Sequence, residues 1–171
     1  MAMLRSSRLF TVMLCALTPA LAPTTASAQT VRDTIRSEHF TARALGVEAG
    51  ENGGRWLIVE FTAGTISPVE TLIVRGNDLG CNRPAFLSDA EGRRFVEARC
   101  TGSAEPLLAP AKFDESGQKQ TVRFHFVSPQ GVTSQLPPYD AVVPLLYRIT
   151  GEADRPVPET GQILAFFGVG K

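Results

Sequence analysis

An all-β domain, built as an antiparallel β-sandwich of about seven or eight strands with one disulfide, is the fold class that this sequence predicts. Three observations lead there. Nearly every apolar segment alternates with period two or forms a short run of strand length. Turn chemistry separates these segments at short intervals, as in Asn52-Gly53-Gly54 and Glu115-Ser116-Gly117-Gln118. Two cysteines, Cys81 and Cys100, flank one of the expected hairpins. A small closed β-barrel is the alternative arrangement of the same strands.

The first element is a secretory signal over residues 1–28. Arg5 and Arg8 form a basic start, Leu9 to Leu17 supply an apolar run, and Ala26-Ser27-Ala28 offers small side chains to a signal peptidase. The expected cut falls between Ala28 and Gln29. The apolar run is about half of the roughly 20 residues that span a bilayer, so no transmembrane anchor is expected after cleavage. A lead-in over 29–37 and a β-sandwich domain over 38–171 follow, a mature chain of one-domain size. In the lead-in, Val31 and Ile35 lie four apart behind Thr30, enough for a marginal helix of two turns or an unstructured approach. Cleavage removes two of the 17 basic residues and no acidic one, leaving a net charge of about −2. That balance steers the chain toward neither nucleic acid nor an anionic membrane surface.

The strands then come in order. SEHFTARALGVEAG places Phe40, Ala42 and Ala44 on one face. RWLIVEFTAG has a continuous apolar centre from Trp56 to Val59, the pattern of a strand covered on both faces. ETLIVRG is next. EPLLAPAKF, interrupted by Pro106 and Pro110, reads as an edge strand or an irregular connection. TVRFHFVS alternates, with Val122, Phe124 and Phe126 facing one way. AVVPLLYRITG and GQILAFFGVGK complete the set, Pro144 placing the former at an edge or a bulge.

Between ETLIVRG and EPLLAPAKF lies the cysteine hairpin. Asp89-Ala90-Glu91-Gly92 suits a type I turn or its bulged relative. Folding about Ala90-Glu91 sets Phe86 against Phe95 and Cys81 against Cys100; the bulged turn shifts this register by one. Opposed antiparallel residues have Cα separations that a disulfide accepts. An exported chain left with two cysteines points to one structural bridge, contributing about 3 kcal/mol by the chain-entropy model.

The runs RWLIVEFTAGTISPVETLIVRG, LSDAEGRRF and TVRFHFVSPQGV resemble the small immunoglobulin-like domains of unknown function in exported bacterial lipoproteins and antigens. Trp56 to Phe61, Asp89 to Phe95 and Val122 to Gly131 occupy the places of that family's central strand, acidic-glycine turn and late Phe-containing strand. The resemblance spans roughly residues 38 to 150. Ala63-Gly64 stands where family members often carry Asn, and Ser128-Pro129-Gln130-Gly131 is one residue longer than the family turn. It implies an immunoglobulin-like sandwich and brings no catalytic residues.

Chemistry-bearing residues are few. His39 and His125 are the only histidines, and no nucleophile elbow accompanies either. Adjacent Glu38 and His39 point to opposite faces of a strand, and Asp114-Glu115 lacks the alternation of a calcium loop. No catalytic, cofactor-binding or metal residue is therefore assigned, and no cofactor is expected. Trp56 is expected in the core beside the disulfide; a stacking platform for a ligand is the alternative. Candidate partner contacts are Arg93, Arg94 and Arg99 around the hairpin, and Phe166 and Phe167 in the last strand, which closes the core or offers an exposed edge. The expected function is a non-catalytic binding or interaction module, periplasmic or secreted, whose partner is a protein or small ligand of unspecified identity. An inhibitor or accessory subunit of an envelope enzyme and a small periplasmic hydrolase are the alternatives.

Overall fold

The computed structural model describes residues 32–76, 81, 84–101, 110–128, 137–151 and 158–170. The expected signal segment with its expected Ala28–Gln29 cut, Pro106, the Pro129–Gly131 segment and residues 152–157 lie outside the described residues. Ten strands are present among the described residues: β1 (Thr34–Arg36), β2 (Phe40–Ala49), β3 (Arg55–Ala63), β4 (Thr71–Gly76), β5 (Phe86–Ser88), β6 (Arg94–Glu97), β7 (Ala111–Phe113), β8 (Lys119–Val127), β9 (Tyr139–Thr150) and β10 (Thr160–Val169). Among the described residues no helix is long and apolar enough to cross a membrane.

Every ladder is antiparallel, and all ten strands belong to one hydrogen-bonded sheet in the order β1-β2-β3-β8-β6-β5-β9-β4-β7, with β10 on the other edge of β9. The sheet is open rather than a closed barrel. A single pair, Arg32 and Phe167, tacks β10 to the residues before β1 through two N–H···O bonds of 2.9 Å. The sheet curls over itself: β10 approaches β2, and residues from all ten strands converge on one core. Phe40, Phe61, Phe95, Phe113, Phe124, Phe126 and Phe166 fill its interior. The period-two pattern explains this, because alternate side chains of each strand reach the same side of the sheet.

β9 organises the fold. One of its edges carries β10 over residues 139–147; the other carries β5 at 140–142 and then β4 at 145–150. Pro144 falls where β5 has ended and β4 has not begun, so its missing N–H breaks no ladder on that edge. The sequence places this strand at an edge or a bulge; it is central instead. Between β7 and β8 the Gln120 amide donates to the Lys112 carbonyl, a side-chain link where no ladder forms.

Two further expectations change. Thr34–Arg36 is a strand rather than a helix or a loose approach, because pairing with β2 buries Ile35 in the core, a gain that two isolated helical turns lack. The cysteine hairpin takes its bulged register: Phe86 pairs with Val96 and Leu87 with Phe95. Gly92, at φ +76°, supplies the left-handed residue after the turn, with its N–H donating to the Asp89 carbonyl at 2.9 Å. The disulfide is formed, Cα to Cα 5.5 Å, but joins two residues outside the ladder. Pro84 precedes the short β5, and Cys100 lies in a single 3-10 turn, Ala98–Thr101.

Candidate functional site

The outer surface divides into two halves of different chemistry. Over β2, β3 and β8 it is charged. Arg123 meets Glu48 at 3.2 Å and Lys119 meets Glu60 at 3.2 Å, both across strands. Trp56 stands on this outer side and not in the core, its ring stacked on His125 from the paired strand, centroids 4.2 Å apart and 12° from parallel. The reason is parity: Leu57, Val59 and Phe61 face inward, so Trp56 and Ile58 face out. The hairpin glycines close over the pair. A Cβ on Gly54 would come within 2.9 Å of His125 Nε2, and one on Gly50 within 3.1 Å of Trp56 Nε1. His39, the other histidine, has its ring 5.6 Å from that of Tyr147 and Nε2 3.7 Å from Glu38.

Over β10, β9, β5 and β6, as far as the end of β8, the outer face carries an apolar band bordered by the row of Asp140, Ser88 and Arg94. Register aligns Ala165, Val142, Phe86, Val96 and Val127 as one cross-strand row spanning five strands. Directly paired residues share a face, and all five are partly exposed. Ile163 and Pro144 form the next row, with Ile163 64% exposed, and Leu146 follows. Phe167, 38% exposed, joins the same side at a β-bulge between Phe166 and Val169. There Gly168, at φ +67°, donates its N–H to Asp140 Oδ1 at 2.9 Å, which fixes the bulge and aims the phenyl ring outward. Arg94 lies over Phe86, its guanidinium carbon 4.2 Å from the ring centroid, and exposed Arg148 lies at the far end of β9's outer side. β10 carries no charged residue from Thr160 to Val169.

The expected contact residues separate accordingly. Phe166 is fully buried and serves the core, while its neighbour Phe167 reaches the surface. Arg93, Arg94 and Arg99 do not form one basic patch. Arg93 donates Nε to Asp89 Oδ2 at 2.7 Å, and Arg99 donates Nη2 to Glu97 Oε1 at 2.9 Å. Only Arg94 joins the apolar surface. A depression of about 240 Å³ lies nearby, between Asp33, Arg43 and Leu45 on one side and Gly168 to Gly170 on the other.

Sequence reasoning missed the apolar band, although a signal existed. Ala141 to Tyr147 is apolar at every position, the mark of a strand with both faces covered. Comparison with protein-family models, curated proteins and solved structures finds no match to this chain in any of the three.

Proposed function

We propose that the chain is an exported, non-catalytic interaction module of the bacterial cell envelope, and that it binds a protein through the outer face of β10, β9 and β5. The partner presents an apolar strip flanked by carboxylates, matching the apolar rows and the Arg94 and Arg148 side chains at their ends. The single observation behind this reading is the five-strand row from Ala165 to Val127 with Ile163 and Phe167 standing beside it in solvent. Contiguous exposed apolar surface of this kind marks contact sites more often than scattered single residues do. The basic start, apolar run and Ala-Ser-Ala of the N-terminus support export, as does a disulfide between the two cysteines of the mature chain. The resemblance to immunoglobulin-like domains of exported lipoproteins and antigens is part of the same proposal.

Two measurements test it. N-terminal sequencing of protein from the extracytoplasmic fraction should begin at Gln29; uncleaved protein in the cytosol would overturn the export reading. Immobilised wild-type protein should retain a stoichiometric partner that the Ile163→Glu/Phe167→Glu double variant, verified as folded by its melting curve, releases. Equal retention by both would remove the band as the contact surface.

A further inference from the structure

Glu97 is 1% exposed, one of two buried charged side chains among the described residues, and it stands against the disulfide. Its Oε1 lies 3.0 Å from Cys100 Sγ. Its two oxygens are held from behind: Oε1 accepts from Arg99 Nε and Nη2 at 3.2 and 2.9 Å, and Oε2 accepts from the Ala85 N–H at 3.1 Å. A disulfide offers a carboxylate no proton and no charge. Arg99 and the N–H of fully buried Ala85 compensate the desolvation of this acid, and they point its carboxylate at the bridge. Opening the bridge would set two thiols beside this oriented carboxylate.

We propose that Cys81, Glu97 and Cys100 form a redox-gated site for a thiophilic divalent cation of the zinc type: closed as the disulfide, and metal-binding when reduced. The three ligand atoms already lie within 4.8 Å of one another. In a tetrahedral site with metal–sulfur bonds of about 2.3 Å, the two sulfurs stand about 3.8 Å apart, which side-chain rotation accommodates. The Cα separation of 5.5 Å then needs no backbone movement. Two thiolates, a carboxylate, a dication and the Arg99 guanidinium sum to zero charge, so the cluster is neutral. Arg99 and the Ala85 N–H act as the outer shell that orients the carboxylate. A water completes the coordination on the exposed Cys81 side.

The gating step requires a dithiol reductant. One of its thiolates attacks exposed Cys81 Sγ, the Cys81–Cys100 bond breaks, and Cys100 leaves as a thiolate beside Glu97. The second thiol of the reductant then resolves the mixed disulfide and releases Cys81. Two electrons pass to the cysteines, the reductant ends as its own disulfide, and its two protons go to the cysteine sulfurs. Metal binding returns those two protons to solvent.

Cobalt(II) titration of the full mature chain tests this, with far-ultraviolet circular dichroism recorded on the same samples. Reduced protein should bind one cobalt per chain with a thiolate-to-cobalt charge-transfer absorption, and zinc should displace it; oxidised protein should show neither. Cys100→Ser should abolish the absorption. Glu97→Gln should keep it while weakening affinity roughly tenfold or more. Should Glu97→Gln fail to fold, Glu97→Asp, which draws the oxygen back by one methylene, carries the same expectation. The proposal is overturned if reduced protein gives no such absorption, if it stays unfolded at saturating metal, if the oxidised form binds equally, or if the Glu97 variants bind like wild type.

Discussion

Asp89 shows how much one turn residue holds. Its side chain accepts from the N–H groups of Glu91 and Arg93 at 3.1 and 2.9 Å and from Arg93 Nε at 2.7 Å. Replacing it with Ala strands those donors and should cost about 2 kcal/mol in urea unfolding. Burial by itself pushes this carboxyl up, but the Arg93 guanidinium and the backbone donors outweigh it, so Asp89 titrates below its ordinary value. As pH falls, the unfolded chain therefore takes the proton first. The stabilisation is complete above about pH 4 and is lost as pH drops through the lower folded value. Melting curves between pH 5 and 2 should show wild type losing more stability than Asp89→Asn, and parallel losses would count against this role. At Gly92 space is open, yet φ is +76°. Gly92→Ala should thus cost about 1 kcal/mol through backbone strain alone, measurable as a lower denaturation midpoint at unchanged slope.

At the scale of the element, β10 is two surfaces on one strand. Leu164, Phe166 and Val169 are buried, while Ile163 and Phe167 are exposed. Phe166→Ala should cost about 3–5 kcal/mol, whereas Ile163→Lys should stay within about 0.5 kcal/mol of wild type, both read from denaturant midpoints. A reversal of that order would mean the strand faces the other way. β9 shows why an element's position is harder to read than its existence. Its apolar run and β-branched residues make a strand legible, but Pro144 argues for an edge. Three strands pair with β9 around that proline, and only the assembled sheet shows that the proline meets a gap. The same holds for Thr34–Arg36, too short to declare itself, which gains its strand conformation from the β2 edge beside it.

For the whole molecule, the disulfide is the covalent tie between the β4-to-β5 connection and the 3-10 turn after β6. Cys81→Ser/Cys100→Ser should lower stability by about 3 kcal/mol while keeping a β-rich dichroism spectrum, since a single core collects residues from both halves of the curled sheet. Loss of the spectrum would make the bridge a condition of folding rather than a reinforcement. The candidate surface belongs to this scale too. The row from Ala165 to Val127 draws one residue from each of five strands. No window of the sequence contains it, and only Arg94 and Phe167 of the expected contacts lie on or beside it.

The sequence by itself determined the all-β class, the inward faces of β2 and β8, and the pairing of Cys81 with Cys100. Those properties are local: period two fixes which residues share a side, and Cys81 and Cys100 flank one hairpin. The tertiary structure decided strand order, the one-residue shift of the hairpin, the outward turn of Trp56 and the placing of Glu97 against the bridge. Each of these depends on which distant edges meet, and that is settled by burying all the inward faces together rather than by any segment's own preference.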